Sequence, residues 1–437
     1  MMQHAFLDAV RAVDLVTRTG RVRRIRSTYI EADGPNLPMG GLCEIETTAK
    51  GRASLAEVVG VNEDSIVLAP FDGAAATFSG ARVTALAQSD GAPVGDAFLG
   101  RAVDALARPI DGGSPVAATA RGSLDGEVAA PMQRTSPKRV FETGVRAIDG
   151  LLTLARGQRV GIFAAAGVGK TTLMTQIARQ VGVDRCVICL VGERGREVEA
   201  FWRGLPAQAR ARSTLVAATS DQSAAMRARA GRYALALAEH WRAQGHDVLL
   251  FIDSATRLAM ALREIGLAAG EPPTIRAYTP SVFAALPRIV ERCGAVAGGG
   301  SITAIMTVLS ETNDIDDPIA EMMKSLLDGH ILLSRDLAEQ GRYPAIDVPR
   351  SISRLAGAVA EPAARAAAMK AVEALSTYES SRTLIETGMY VRGANADIDR
   401  ALELRPALLD YLRQAEDERT PYPVACERLA SLIGART

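Results

Sequence analysis

The sequence predicts an α/β core with a small β-barrel before it and a helical domain after it. Three patterns support this prediction: short strands broken by turns up to about residue 90, apolar runs that alternate with helical stretches between about 98 and 354, and an Ala- and Leu-rich remainder. A chain of 437 residues is too long for one compact core and long enough for two or three domains. We expect the barrel over 1–92, the α/β domain over 93–356 and the helical domain over 357–437.

The N-terminal segment contains runs rich in Val, Ile and Thr, separated by turn signals such as Asp33-Gly34 and Asp72-Gly73. Strands this short and this regularly spaced are typical of a small antiparallel barrel. The runs are RVRRIRSTYIEA, GLCEIETT, ASLAEVVGV, SIVLAPF and ARVTALA.

The middle segment contains apolar runs without polar alternation, as expected for strands buried on both faces of a parallel sheet. They are RVGIFA, CVICLV, STLVAAT, DVLLFID and SITAIMTVL. Cys186 and Cys189 form a C-x-x-C in the second run. We interpret them as buried strand residues rather than a redox or metal pair, because no other Cys/His cluster offers ligands. Alternation of such strands with helices indicates a nucleotide-binding α/β architecture.

The last segment repeats apolar residues at three- and four-residue steps, as in Leu404, Leu408 and Leu412. This spacing predicts helices over EPAARAAAMKAVEALSTYESSRTLIE and DIDRALELRPALLDYLRQ, with a break near residues 393–397.

Composition narrows the function. Lys+Arg and Asp+Glu both number 50, so the overall charge gives no support to an obligate nucleic-acid binder. The five cysteines are sparse and odd in number, which favours a reducing cytosol over a disulfide framework. No signal peptide is visible, and no run approaches the roughly 18–20 apolar residues that span a bilayer. We expect a cytosolic protein that can still dock at a membrane.

The strongest motif is a phosphate-binding loop. RVGIF predicts a strand, AAAGVGKT a turn and TLMTQIARQ a helix, which is the context that this motif requires. Backbone N–H groups would wrap the phosphates of ATP, Lys170 would bridge the β- and γ-phosphates, and Thr171 would ligate Mg²⁺. The predicted cradle comprises Ala164, Ala165, Ala166, Gly167, Val168, Gly169, Lys170, Thr171 and Thr172. Ala164 stands where the simplest pattern has glycine.

Two carboxylates follow strands. Asp253 ends the run VLLFID, where an aspartate can hold the Mg²⁺ shell through water. Glu193 follows CVICLV in a Gly-flanked turn, and hydrolysis needs a carboxylate that orients the attacking water. Glu197 and Glu199 compete for this role, but the pattern places them in the next helix, which favours a solvated face.

The segment GRYPAIDVPRSISRLA supplies two further candidates. Arg354 lies far along the chain from the loop and can serve a neighbouring subunit as an arginine finger, or be a surface arginine. Tyr343 can stack on an adenine ring or belong to the core. The residues alone leave both alternatives open.

Together these stretches resemble the type III protein-export ATPases of flagella and injectisomes, which are relatives of the rotary ATP synthase catalytic subunit. The likeness covers most of residues 98–356 and implies a P-loop (RecA-like) core. It is carried by TGVRAIDGLLTLARGQRVGIFAAAGVGKTTLM, VGERGREVEAF, VLLFIDSATRLAMALREIGLAAGEPP, PSVFAALPRIVERCG, SLLDGHILLSR and GRYPAIDVPRSISR. Alanine at position 164 is usual in this family.

The resemblance implies Mg²⁺-dependent ATP hydrolysis and a role for each matching residue. Arg194 would follow the catalytic carboxylate at the interface, Arg257 would lie near the γ-phosphate, and Tyr343 would flank the adenine. Arg354 would be the finger donated across the ring. The implied catalytic set is Lys170, Glu193, Arg194, Arg257 and Arg354, and the implied metal residues are Thr171 and Asp253.

The resemblance also implies a homohexamer at the inner face of the cytoplasmic membrane, without nucleic acid. Its partners would be a stator-like regulator, a central stalk protein, chaperone–substrate complexes and the export gate. The regulator would meet the first eighteen residues, which form either a short amphipathic helix or a loosely ordered lead-in. The implied function is a motor for chaperone release, unfolding and export of substrates.

Three alternatives to this function are a rotary ATP synthase catalytic-type subunit, an RNA-dependent ring ATPase and a catalytically dead homologue. GERGREV and LLDGHI count against the first, the neutral charge against the second, and the presence of Glu193, Asp253 and Arg354 against the third. FAAAGVGK and GLCEI favour an injectisome, whereas DDPIA and AEQGRYPAID favour a flagellum; we favour the injectisome by a small margin. RAYTPSVF replaces the family's RGYPPSVF, so Ala277 and Thr279 alter a loop that faces the pore or a neighbour.

Overall fold

The computed structural model describes residues 16–49, 52–74, 76–86, 91–309 and 317–434. The first eighteen residues were expected to form a short amphipathic helix or a loosely ordered lead-in, and all but the last three of them lie outside these ranges. Within them, no helix has both the length and the apolar character needed to cross a membrane.

The N-terminal strands pair antiparallel and close into a barrel, in the order β1-β2-β5-β4-β3-β6. Alternate side chains such as Val22, Ile45 and Val83 point inward and form a separate buried cluster. The predicted barrel is therefore confirmed. Its strands are β1 (Thr19–Ile25), β2 (Ile30–Ala32), β3 (Leu42–Glu46), β4 (Ala53–Val61), β5 (Ile66–Pro70) and β6 (Arg82–Ala85).

The central sheet confirms the predicted apolar runs as neighbouring strands, in the order β17-β16-β10-β15-β13-β11-β12-β8. From β10 to β12 the strands run parallel, so their carboxyl ends meet at one edge. Cys186 and Cys189 are buried in β11 as expected, and burial raises the pKa of Cys186 to about 12. The strands are β8 (Ala102–Asp104), β10 (Arg159–Ala164), β11 (Arg185–Val191), β12 (Ser213–Ala218), β13 (Asp247–Asp253), β14 (Gly294–Ala295), β15 (Ser301–Leu309), β16 (Gly329–Leu332) and β17 (Ile352–Ser353).

The sequence patterns missed the short strands. β14 and β17 have two residues each, β8 has three and β16 has four, which is too short for a hydrophobic period to be visible. A separate antiparallel pair, β7 (Ala92–Val94) and β9 (Ala120–Gly122), was also missed.

Helices cover both faces of the central sheet. Tyr233, Trp241 and Leu258 pack on one face, and Leu173 and Phe201 on the other. The α-helices span Arg146–Asp149, Lys170–Gln180, Gly195–Gly204, Ala207–Ala211, Ala224–Ala243, Ala255–Ala268, Pro280–Glu291, Pro318–Leu326, Arg335–Glu339, Ala356–Val359, Pro362–Glu386, Ala396–Leu412 and Tyr422–Ile433. Short 3₁₀ helices span Asp96–Phe98, Pro131–Gln133 and Ile275–Ala277.

Buried ion pairs join the barrel to the core. Glu57 on β4 contacts Arg232 at 2.5 Å and Arg229 at 3.7 Å, both on the helix Ala224–Ala243. Because removing one partner of such a group leaves a buried charge unpaired, these contacts fix the position of the barrel.

The C-terminal helices pack against one another and against the core. The two predicted helices are present, and the break between them ends at Asn395, whose side chain accepts hydrogen bonds from the N–H groups of Asp397 and Ile398. A third helix, Tyr422–Ile433, was not predicted. Arg146 anchors the domain by donating to the carbonyl oxygens of Tyr411, at 2.8 Å, and of Arg413.

Candidate active site

The predicted phosphate loop connects β10 to the helix Lys170–Gln180. Gly167 and Gly169 have φ values of 82° and 94°, in the left-handed region that favours glycine. Gly169 precedes the helix and offers no side-chain acceptor to its first turn, so these N–H groups are available to an anion. Ala164 and Ala165 are buried, whereas Ala166 and Gly167 are exposed. The loop thus presents backbone, not side chains, to a ligand.

Four charged side chains from four neighbouring segments converge beside this loop. Lys170 Nζ lies 2.5 Å from Asp253 Oδ1 and 3.6 Å from Glu193 Oε1. Arg257 Nη1 lies 3.0 Å from Glu193 Oε2 and also donates to the carbonyl oxygen of Gly192. Parallel strands bring these residues together because β11 and β13 end at the same edge of the sheet.

Glu193 is the most electrostatically perturbed of these groups. Burial raises its pKa to about 7, and the charge of Asp253 and a hydrogen bond with Glu197 act in the same direction. Lys170 and Arg257 oppose the shift. Glu193 Oε1 is buried and has no hydrogen-bond partner among the residues that the structure describes. A buried carboxylate oxygen without a donor is suited to orienting a water molecule.

Asp253 is almost completely buried, at 1% exposure. Its Oδ1 accepts a second hydrogen bond from Thr307 Oγ1, at 2.6 Å. Sequence reasoning missed Thr307 because a lone threonine in an apolar strand is an ordinary β-branched strand former. Only the pairing of β15 with β13 shows its proximity to Asp253.

The residues present fit a magnesium ion only together with a nucleotide. Among the described residues, no group of three or more His, Cys, Asp or Glu side chains could hold a metal. Thr171 and Asp253 provide hard oxygen atoms, and Mg²⁺ is commonly held by one or two such groups plus phosphates and water.

Tyr343 stands next to the loop and is 44% exposed. A Cβ atom on Gly169 would lie 3.6 Å from its ring. A small pocket separates the loop helix from Tyr343, and the C-terminal domain supplies its far wall. Its lining includes Gly169, Thr172, Tyr343, Gln414 and Glu416. Sequence reasoning missed Gln414 and Glu416, since no motif marks a residue that reaches the site from another domain.

The structure does not bring Arg354 or Arg194 into this cluster. Arg194 is exposed at the start of the helix Gly195–Gly204. Arg354 follows β17, and its guanidinium donates to the carbonyl oxygen of Lys324. The backbone N–H of Arg354 bonds to Asp328, whose own N–H bonds to Arg159 at the start of β10.

This register places Arg354 at the amino edge of the sheet. The phosphate loop begins at the carboxyl end of β10, which spans Arg159–Ala164. Five residue steps at about 3.3 Å each lie between Arg159, which is level with Arg354, and Ala164, where the loop begins. The two ends of β10 are therefore about 16 Å apart. The backbone of Arg354 therefore lies far from the phosphate loop of its own chain.

The loop RAYTPSVF, which differs from the family pattern at Ala277 and Thr279, contains residues with a left-handed backbone. Ala277 has a φ of 59° where the resemblance expects glycine, and Arg276 before it has 50°. Thr279 is buried, and its hydroxyl lies 3.0 Å from that of Ser281. A Cβ atom on Gly266 would meet Thr279 Oγ1 at 2.3 Å, so Thr279 packs tightly against that helix.

The fold and the site together define a P-loop ATPase. Comparison with known proteins shows to which family of P-loop ATPases the chain is similar. Residues 144–353 match the ATP synthase alpha/beta family, nucleotide-binding domain. Residues 360–431 match the T3SS EscN ATPase C-terminal domain.

Relatives and solved structures agree with these matches. The chain is 44% identical over 436 residues to the flagellum-specific ATP synthase of Bacillus subtilis, covering 99% of each chain. It is 43% identical over 416 residues to the type 3 secretion system ATPase of Xanthomonas euvesicatoria, covering 95% of this chain and 94% of that one. The assembled ATPase EscN of the enteropathogenic E. coli type III secretion system is 38% identical and superimposes with a TM-score of 0.90, over 95% of this chain and 100% of that one.

The chain therefore belongs to the ATPases of type III secretion and flagellar export, which hydrolyse ATP to drive protein export. The C-terminal match distinguishes it from the rotary ATP synthase alternative. The near-equal identities to flagellar and injectisome relatives leave the two systems unseparated.

Proposed function

We propose that ATP lies with its phosphates on residues 164–172 and that Glu193 orients the water that attacks the γ-phosphate. This proposal is carried by the buried Oε1 of Glu193, which lies beside Lys170 and has no hydrogen-bond partner in the described parts of the chain. Lys170 holds the β- and γ-phosphates, and Arg257 keeps the Glu193 carboxylate in place through its 3.0 Å contact.

Mg²⁺ accompanies the nucleotide. Thr171 would hold the ion through its hydroxyl, and Asp253 would hold the ion's water shell. The ion neutralises the charge that develops on the phosphates. Tyr343 would flank the adenine, with Thr172 and Gln414 lining the same small pocket.

Arg354 completes the site of a neighbouring subunit in a homohexamer, and Arg194 faces the same interface. The position of Arg354 at the amino edge of its own sheet supports a role in trans. The related EscN structure is described as assembled, and another as a complex with its central stalk EscO. A ring of identical subunits gives every site one donated arginine.

We place this ring in the cytoplasm at the inner face of the membrane, where it would prime chaperone–substrate complexes for unfolding and export. Its partners would be a central stalk protein, a stator-like regulator and the export gate. We keep the injectisome as the working system. We also keep the domain division 1–92, 93–356 and 357–437, since the last barrel strand ends at Ala85 and the long helix Pro362–Glu386 opens the helical domain.

The site assignment is tested with Lys170→Ala and Glu193→Gln, and Lys370→Ala on an exposed helix face is the matched lysine control. Loss of a positioned catalytic base costs about 10²- to 10⁴-fold in rate. We expect Glu193→Gln to retain ATP binding and lose at least about a hundredfold in kcat, Lys170→Ala to lose hydrolysis, and Lys370→Ala to match the wild type. Hydrolysis at the wild-type rate by Lys170→Ala would refute the assignment.

A further inference from the structure

Asp253 Oδ1 accepts hydrogen bonds from two donors. Lys170 Nζ lies 2.5 Å away and Thr307 Oγ1 lies 2.6 Å away. Both Thr307 and Asp253 are almost fully buried. Within the described residues, no hydrogen bond engages the second oxygen, Oδ2.

In the proposed nucleotide-bound site, Lys170 turns from Asp253 toward the phosphates. If Lys170 turns toward a nucleotide, Asp253 Oδ1 keeps only the hydroxyl of Thr307 as a donor. A buried carboxylate oxygen that loses its last donor bears a large desolvation cost. Without Thr307, Asp253 would therefore retain Lys170 or rotate.

We infer that Thr307 is a positioning residue of this site: its hydroxyl holds Asp253 Oδ1, releases Lys170 to the phosphates and leaves Oδ2 to face the metal's water. This inference rests on the proposed function, in which Asp253 serves Mg²⁺. Thr307 itself touches neither nucleotide nor metal.

The simpler alternative is that Thr307 only fills space in β15. Thr303 offers a matched comparison. It lies on the same strand, is equally buried, and its hydroxyl accepts a hydrogen bond from the N–H of Gly157 at 2.8 Å, away from the charged cluster. Threonine and valine have the same shape, so Thr307→Val and Thr303→Val change the core volume equally little.

The test measures binding of AMP-PNP, a non-hydrolysable ATP analogue, with Mg²⁺ and with EDTA, together with kcat and KM for ATP. A hydrogen bond to a charged group corresponds to about a ten- to hundredfold change in an equilibrium constant. The quantity compared is the ratio of the AMP-PNP affinity with Mg²⁺ to the affinity with EDTA. We expect Thr307→Val to lower this ratio by about tenfold or more and to lower kcat. Thr307→Ser should restore both, and Thr303→Val should behave as the wild type.

Wild-type Mg²⁺ dependence in Thr307→Val, or an equal loss in Thr303→Val, would overturn the inference. If either overturning outcome occurs while Lys170→Ala is inactive in the same assay, only the role of Thr307 is refuted and the site assignment stands. If Lys170→Ala is fully active, the site assignment itself fails.

Discussion

At the scale of single residues, Glu193 must carry a charge in an environment that disfavours it. Its carboxyl is buried, close to Asp253, and its pKa is raised to about 7. It can orient and deprotonate water only as the carboxylate. The acid form gains stability on folding, so the active form is lost as the pH falls through about 7, well above the pKa of 4.5 that is usual for a free glutamate.

This predicts an acid limb in kcat/KM for ATP near pH 7. The phosphates of ATP also titrate, and they contribute equally to the pH profile of every variant. The informative measurement is therefore the difference between the pH profiles of Glu197→Gln and the wild type. Protonated Glu193 donates a hydrogen bond to the Glu197 carboxylate, and this bond contributes to the raised pKa of Glu193. An amide there can donate to the carboxylate instead, and the acid limb should move to lower pH. Identical pH profiles for Glu197→Gln and the wild type would show that Glu193 does not control the limb.

The charged residues of the site could be predicted from sequence because each follows a strand or a glycine-rich turn. Lys170, Glu193 and Asp253 occupy such positions, and the structure brings them together. Thr307 and Gln414 could not be predicted, since their proximity depends on strand pairing and on docking of another domain. The sequence also showed that Ala277 replaces the glycine of the family pattern, but only the backbone shows that this residue keeps a left-handed conformation.

At the scale of elements, long apolar strands and long helices are evident in the sequence, whereas edge strands depend on their neighbours. β10, β11, β13 and β15 have six to nine residues each and were predicted. The two-residue β17 acquires its position only by pairing with β16. The pairing of β17 with β16 matters for function because Arg354 follows β17 directly and is thereby placed at the amino edge of the sheet.

The segment between the last two helices ties the C-terminal domain to the site. Gln414 is buried, accepts from the N–H of Arg146 at 2.8 Å and donates to the carbonyl oxygen of Gly144 at 2.7 Å. Its own N–H bonds to the carbonyl oxygen of Tyr343 at 2.9 Å. Movements of the C-terminal domain and the shape of the small pocket are therefore coupled.

We predict that Gln414→Ala destabilises the protein and weakens nucleotide binding together. Each buried polar group left unpaired costs about 1–3 kcal/mol. Asp417→Ala, at an exposed position of the same segment outside the pocket lining, is the control and should change the free energy of unfolding by less than about 0.5 kcal/mol. Chemical denaturation and ATP titration of both variants measure these effects. Equal stability of the two variants would contradict the anchoring role.

At the scale of the whole molecule, we propose that one chain alone contains an incomplete site. Lys170, Glu193, Asp253 and Arg257 meet at the carboxyl edge of the sheet, whereas Arg354 lies at the amino edge. We propose that the ring brings the amino edge of one subunit to the carboxyl edge of the next, as a head-to-tail interface allows. An arginine supplied in this way is worth about 10³- to 10⁵-fold in rate in other phosphoryl-transfer enzymes.

The most direct test mixes two inactive variants. Lys170→Ala lacks the phosphate lysine but can donate Arg354, and Arg354→Ala lacks the finger but keeps Lys170. Random mixing in equal amounts should give about one interface in four with both residues intact. We predict that each variant alone is nearly inactive and that the mixture regains ATP hydrolysis. A mixture that stays inactive although the two variants co-assemble, or an Arg354→Ala variant with wild-type activity, would contradict a site completed by the neighbouring subunit.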